Sequence, residues 1–422
     1  MSPAPPDMPP ETPSGTPPEV PPGAPPEVPL RTIAREWGRI GVLGFGGPPT
    51  HIALLRELCV KRRRWVSGRD FEDGIAVTNL LPGPASTQLA ILTAWWLRGA
   101  WGAVVGGFCF IVPGLVLILA LAALFLAGDP PGWVNGAAAG AGSAVAAVAV
   151  QAGAQMVPDS LRRAAGRAAR ARWACYLTAG AGAAVLLGPW LVLVLLAAGL
   201  AELAVHGVRR ARAARAPAPP ATRGRPGGGA RLWALLAALP VTAAAASLSA
   251  LTWVAYKVGA LSYGGGFVII PLMRSDAVDG HGWMTDGEFL NAVALGQITP
   301  GPVVQTVAVV GYAAAGLGGG LLAAAVAFGP SFLLIVLGAG HFERVRSAPA
   351  VQAFFGGAGP AVIGAICGSA VPLALALQHA WQYAVLGLAA VLLLAARRGV
   401  VGTLLICGGL GVAAALAGWA VV

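Results

Sequence analysis

Gly46-Gly47-Pro48-Pro49 and Pro82-Gly83-Pro84 lie about one membrane span apart, each inside apolar sequence where a helix would otherwise continue. Proline removes a backbone donor from the helical ladder and glycine weakens it, so each cluster is expected to break its helix. Within a bilayer, broken backbone is tolerated only where it is buried in protein or faces a water-filled cavity. Both clusters recur. At a shift of 218 residues and with no gap, residues 44–88 align with 262–306, so that Gly46-Gly47 meets Gly264-Gly265 and Pro82-Gly83-Pro84 meets Pro300-Gly301-Pro302. Twelve of the 45 aligned positions are identical, among them Ile52/Ile270, Arg56/Arg274, Val60/Val278, Trp65/Trp283 and Phe71/Phe289. Two glycines, an arginine, a tryptophan and a whole Pro-Gly-Pro in register identify an internal repeat.

Of 422 residues, 57% are hydrophobic and only 11% charged, and the mean hydropathy is +0.73. A soluble domain averages about a quarter charged residues. Apolar runs of about 20 residues, the length that crosses a bilayer core, recur along most of the chain. The expected fold is therefore an all-α polytopic membrane protein, with the lipid bilayer as its surroundings. The net charge of +11 does not point to nucleic acid, because the arginines cluster at the ends of apolar runs. That is where the positive-inside rule puts them in cytoplasmic loops. Arg outnumbers Lys 26 to 2, and Ala and Gly abound, which fits a GC-rich bacterial coding bias. The five cysteines (Cys59, Cys109, Cys175, Cys367, Cys407) are scattered, with no CxxC and no His at ligand spacing. They read as packed thiols rather than disulfides or zinc ligands.

Residues 1–29 hold 13 prolines and almost no large apolar side chains, so they are expected to form a disordered or polyproline tail. They contain no apolar core of a signal peptide. A first membrane repeat is expected over 30–206, with an amphipathic helix from Arg31 to Val60 broken at Gly44–Pro49. A second helical stretch at 71–97 is interrupted by the Pro-Gly-Pro, and spans follow near 100–127, 135–157, 173–188 and 189–206. Residues 207–231, with seven Arg, read as a basic linker between the halves. The second repeat, 232–422, opens with an additional apolar run, Leu232 to Val254.

Loop charge speaks to topology. Residues 61–69 carry five basic side chains and no acid, whereas their repeat counterpart, 279–287, carries Asp279 and Asp286 and neither Lys nor Arg. Duplicated loops of opposite charge belong on opposite faces of a membrane. If each Gly-Gly and each Pro-Gly-Pro segment enters and leaves by one face, every strongly basic joint falls on the cytoplasmic side, as do the tail and the 207–231 linker. Two inverted-topology repeats with broken or re-entrant helices are the expected arrangement; kinked full spans are the alternative, with a different span count.

Paired broken helices in inverted repeats are the sequence pointer to a transporter's midplane site. A half-helix that starts after each break presents free N–H groups and a partial positive charge, which suits an anion. Ser86, Thr87 and Gln88 follow the first Pro-Gly-Pro, and Gln305 and Thr306 follow the second, giving neutral donors able to replace an oxyanion's hydration. A single Pro-Gly-Pro reads more simply as a kink in a packed helix; two aligned copies with polar followers shift the balance towards a site. The candidate translocation residues are thus Gly46, Gly47, Pro48, Pro82, Gly83, Pro84, Thr87 and Gln88, with Gly264, Gly265, Pro300, Gly301, Pro302, Gln305 and Thr306. Arg56 and Arg274, at matching positions, serve either as interface anchors or as attractors of substrate. Lys257, in apolar sequence just before the triple glycine, is a further candidate for the path. Trp65 and Trp283 fit an interfacial aromatic belt. His51 reads as a satisfied packing residue, with a proton relay as the sharper alternative. Enzyme signatures are missing: there is no HExxH, Walker loop or GxSxG and no acidic pair for a magnesium diphosphate site, so neither enzyme activity nor a cofactor is expected.

At Phe45-Gly46-Gly47-Pro48, Trp65 and Pro82-Gly83-Pro84, echoed by Tyr263-Gly264-Gly265-Gly266, Trp283 and Pro300-Gly301-Pro302, the chain resembles the chromate ion transporter family of bacteria and archaea. The resemblance covers residues 31–422 and the two-half architecture of the family's long-chain members. It departs where Gly266 stands at the place of Pro48, which keeps the break but changes its geometry. The resemblance implies chromate export across the inner membrane and chromate resistance, with protons as the coupling ion and sulfate as a related substrate or competitor. A sulfate or other oxyanion carrier is one alternative. A membrane-embedded enzyme or assembly factor, whose breaks are only kinks, is the other. A homodimer is compatible with such a fold, though neither the charges nor the periodicity demand one.

Overall fold

The computed structural model describes residues 28–79, 81, 83–126, 130–187, 190–214, 246–262, 269–338 and 348–420. All the regular structure among them is helical. The Pro-rich tail up to residue 27, Pro82, most of the basic linker, the start of the apolar run from Leu232 and Gly264-Gly265-Gly266 lie outside the described residues.

The first half begins with α1 (Leu30–Leu43), which stops at Gly44. Gly46 and Gly47 take φ of +95° and +75°, backbone that L side chains rarely adopt. Pro48 then starts α2 (Pro48–Arg56) at a position where its missing N–H is harmless. A π-helical turn, Glu57–Arg62, carries α2 to the surface. The chain turns back on itself at this break, because Glu36 bonds Arg62 and Arg63 and Trp37 stacks on Trp65. Helix α3 (Gly68–Thr78) is capped by Ser67 and leads to the Pro-Gly-Pro. Helix α4 (Ala85–Phe125) leaves it, folding at Arg98-Gly99 so that Gly102 and Gly106 pack on Ala94. On the other side of Gly83, Gly74 of α3 meets Leu89 and Trp96, so this break too is the apex of a helical hairpin. The half closes with α5 (Gly132–Ser143), α6 (Val145–Arg163), α7 (Arg167–Leu186) and α8 (Leu191–Ala214). Residues 207–214 of the basic linker thus continue a helix, for which their Arg and Ala are well suited.

The second half repeats the plan. It comprises α9 (Ala246–Leu261), α10 (Ile269–Arg274) with a π-turn at Ser275–Gly280, α11 (Asp286–Ile298) and α12 (Thr306–Gly338). Helices α13 (Pro349–Leu375), α14 (Ala380–Ala390) and α15 (Val400–Leu416) complete it. Even the backbone irregularities are duplicated. Trp65 N–H donates to Cys59 O and Trp283 N–H to Ala277 O, each at 2.8 Å, around the positive φ of Arg64 and Gly282. Ser67 and Thr285 cap α3 and α11. The fold at Arg98-Gly99 returns at Ala315-Gly316, with φ of +57° and +63° at the two glycines. That last pair is 217 residues apart, not 218, so one residue is lost between Gly301 and Ala315. The loss falls beside Pro302: Gln88 N–H reaches back four residues to Pro84 O, whereas Gln305 N–H reaches back three to Pro302 O, through the 3₁₀ turn Val303–Gln305.

By length and composition, five helical stretches among the described residues are able to cross a bilayer: Ala85–Phe125, Gly132–Arg163, Leu191–Arg210, Val303–Gly338 and Pro349–Leu375. Helices without an aqueous side pack through small residues. Thus Gly180 of α7 lies against the backbone of Ala361 in α13, and Gly364 of α13 against that of Leu177 in α7. Large apolar side chains such as Trp101, Phe108, Val116 and Leu337 are exposed, as on a lipid-facing surface. The chain is an all-α, multi-pass membrane protein.

Candidate functional site

The two halves meet at their breaks and exchange bonds. Gly83 N–H donates to Ser262 O at 3.0 Å, and Gly301 N–H donates to Gly44 O at 3.1 Å. Residues 44 and 262, like 83 and 301, are repeat partners, so the exchange is reciprocal. Gly83 and Gly301 hold φ of +125° and +109°, which lets each N–H turn away from its own helix towards the other half.

Around Gly301 the two polar side chains that follow it, Gln305 and Thr306, both donate within the protein, while Gln297, four residues before it, keeps an unpaired Nε2 among the described residues. Gln305 Nε2 donates to Ile111 O of α4 at 2.7 Å. It can do so because Gly114 has no side chain; a Cβ there would strike Pro300 O and Gln305. Thr306 Oγ1 donates to Val303 O at 2.8 Å. Gly47 sits against Val303, with 3.7 Å from its would-be Cβ to Cγ2. Pro302 is the residue before the 3₁₀ turn.

Around Gly83 the pattern differs. Pro84 precedes α4, whose first turn exposes N–H groups with no helical acceptor. Gln88 Nε2 and Ser331 Oγ both lie within 2.9 Å of where a Cβ on Gly83 would be. The hydroxyls of Thr87, Ser262 and Ser331 are fully buried and have no hydrogen-bond partner among the described residues. A buried hydroxyl left unpaired costs about 1–3 kcal/mol. Thr87 lies in the first turn of α4, Ser262 carries the carbonyl that Gly83 bonds and Ser331 abuts Gly83, so a group that accepts hydrogen bonds would find unused donors here.

His51 ties the two breaks together. Gly44 O can only accept, so His51 Nε2, 2.8 Å away, carries the proton. Its Nδ1 then accepts from Ser86 Oγ at 3.3 Å, and Phe110 meets the ring edge-on. With both nitrogens engaged and no exposed surface, His51 is a packing and bridging residue.

The charged candidates stand apart from the breaks. Arg56 pairs with Glu72 at 2.6 Å, while Glu57 pairs with Lys61. Arg274 is clamped by Asp286 at 2.7 Å and Asp279 at 3.0 Å. Lys257 is held by both oxygens of Asp276, at 2.7 and 2.6 Å, over the ring of Trp253. Gly264, Gly265 and Pro82 lie outside the described residues. Ser262 and Ser331 escaped the sequence reading because a lone serine in apolar sequence carries no pattern. The one-residue loss also made Thr87-Gln88 and Gln305-Thr306 look like a swapped pair, when Gln88 and Gln305 are structural equivalents.

No group of three or more His, Cys, Asp or Glu is gathered for a metal among the described residues. What the fold defines is a multi-pass helical protein made of two copies of one broken-helix unit, with buried donors concentrated at the junction of the breaks. The chain belongs to the chromate transporter family, whose profile matches residues 31–203 and 249–418, one segment in each half. It is 31% identical to the chromate transport protein of Cupriavidus metallidurans over 355 residues, 82% of each chain. It is 28% identical to a probable chromate transport protein of Synechococcus elongatus, over 86% of this chain and 89% of that one. With the chromate transport protein of Pseudomonas aeruginosa the identity is 30%, over 80% and 79%. No solved structure matches.

Proposed function

We propose that this protein carries chromate, a tetrahedral dianion, out of the cytoplasm across the bacterial inner membrane and so confers chromate resistance. The observation that carries this reading is the set of buried, partnerless hydroxyls of Thr87, Ser262 and Ser331 about the Gly83 break, in a chain whose family and relatives bear the name of chromate transport. Neutral hydroxyls, the Gln88 amide and the free N–H groups at the start of α4 replace an oxyanion's hydration without a fixed counter-charge that would hinder its release.

The halves sit in inverted orientation, with the basic 61–69 loop and the linker in the cytoplasm and the acidic 279–287 loop outside. Reciprocal bonds between the breaks fit a pseudo-two-fold axis in the membrane plane. Protons drive the export. Sulfate, of the same shape and charge, competes for the seat.

Everted membrane vesicles containing the protein are expected to accumulate radiolabelled chromate when a proton gradient is imposed, with sulfate competing. Absence of flux for both anions overturns the reading. Flux of sulfate alone reassigns the substrate, and flux that ignores the gradient removes the proton.

A further inference from the structure

Beside α1 a cleft of about 700 Å³ is lined by Arg35, Glu36, Arg39, Leu43, Arg62 and Arg63, among others. Four arginines and one glutamate line it. Glu36, its side chain only 10% exposed, binds Nη2 of Arg62 at 2.6 Å and of Arg63 at 2.8 Å. Arg63 also lies over Trp65, which stacks on Trp37. These two arginines are therefore held in place while keeping further N–H donors open to the cleft. Arg35 and Arg39, one turn apart on the exposed face of α1, have no ion pair among the described residues. At Leu43, itself 52% exposed, the cleft comes within one residue of Gly44, whose carbonyl accepts from His51 and from Gly301.

Membrane orientation alone does not account for this arrangement. Positive-inside charge needs basic residues in a loop, not a concave surface shared between a loop and a helix. Nor does the repeat require it: at the equivalent positions Arg35 becomes Trp253, Glu36 becomes Val254, Arg62 becomes Gly280 and Arg63 becomes His281. Arg39 becomes Lys257, whose charge Asp276 neutralises. One half has a net-positive basin at its break; the other has a closed ion pair.

We propose that this cleft is a second, outer anion site, an antechamber that gathers hydrated oxyanion dianions and raises their concentration at the mouth of the Gly83 seat. The proposal rests on the transport reading above. The cleft is far larger than one oxyanion, so it holds its anion through water and through the guanidinium forks, and it acts on loading rather than on selectivity. Phosphate headgroups of anionic lipids offer the same chemistry and are the competing source of a ligand.

Purified protein in phosphatidylcholine vesicles is assayed for the initial rate of chromate transport against concentration at low and high salt. In R35Q/R39Q the KM for chromate is expected to rise about tenfold with Vmax within twofold, and its salt dependence to flatten. R31Q, on the same face but outside the cleft, leaves both unchanged. A wild-type KM and salt dependence in the double variant overturn the proposal. A defect seen only when phosphatidylglycerol is present also overturns it, in favour of a headgroup site.

Thiol labelling reads the cleft without any transport. With Cys introduced as L43C in a background lacking the native cysteines, an anionic methanethiosulfonate is expected to react at least tenfold faster than a cationic one. Millimolar sulfate slows the anionic reagent, and R35Q/R39Q removes the preference. Equal rates for the two reagents overturn the antechamber even if chromate moves. A strong anionic preference without chromate or sulfate flux upholds the cleft and sinks the transport reading instead.

Discussion

The two Pro-Gly-Pro breaks share backbone geometry and differ in what surrounds them. At Gly301 the two polar residues that follow the break are paired inside the protein: Gln305 reaches Ile111 O through the gap left by Gly114, and Thr306 bonds Val303 O. At Gly83 the equivalent of Gly114 is Ser331, and it, Thr87 and Ser262 keep unpaired hydroxyls. The His51–Ser86 pair of the first break has apolar equivalents in the second, Ile269 and Val303. On the proposed reading, the duplicated breaks have diverged in their side chains, the second towards a structural joint and the first towards a seat for the anion.

The largest effect is expected where the shared backbone geometry is destroyed. Gly83→Leu places a side chain on a φ of +125° and into Gln88 and Ser331; Gly301→Leu meets a φ of +109° and Gln305. Each is expected to bring chromate flux to background while the protein still inserts and remains monodisperse in detergent. Normal flux in both would show that the breaks are not the path.

Next come variants that separate the two breaks. Ser331→Ala removes a donor with no protein partner, so its cost falls on the anion. A hydrogen bond to a charged group contributes about 1.5–3 kcal/mol, which corresponds to a rise in KM of about 10- to 100-fold, with the melting temperature unchanged or slightly raised. Gln305→Leu does the reverse. It removes the hydrogen bond to Ile111 O, at a cost of about 0.5–1.5 kcal/mol in stability, and leaves KM close to wild type. If Gln305→Leu changes KM as much as Ser331→Ala does, the breaks share the substrate and the asymmetry is wrong.

How much of this was readable beforehand depends on the kind of signal. Gly-Gly and Pro-Gly-Pro act on their own backbone, so the breaks and the repeat were plain in residues 44–88 and 262–306. The helix-breaking chemistry said where the chain turns. The loss of one residue after Pro302 was hidden, because an ungapped alignment of 45 residues ends before the 217-residue spacing of the later turns reveals it. Ser262 and Ser331 were hidden for another reason. Their role comes from lying beside Gly83 across the interface between halves, and a hydroxyl in an apolar run looks the same whether or not it has a partner. Gly114 was likewise one glycine among 60.

The smallest effects are expected at the paired arginines, and their contrast tests whether matched sequence positions carry matched weight. Arg56 and Glu72 are about half exposed, at 48% and 52%. A pair of that kind contributes about 0–1 kcal/mol, so Arg56→Gln should scarcely move either stability or transport. Arg274 is 21% exposed and is held by two carboxylates, so Arg274→Gln leaves Asp279 and Asp286 facing each other without their common cation. A drop in melting temperature larger than that of Arg56→Gln is expected, with KM for chromate unaltered in both. The double change Arg274→Gln with Asp286→Asn should recover most of the lost stability, since the uncompensated charge is then gone. A rise in KM from Arg56→Gln alone would instead make Arg56 part of the substrate's route and extend the basic antechamber along the second arm of the first hairpin.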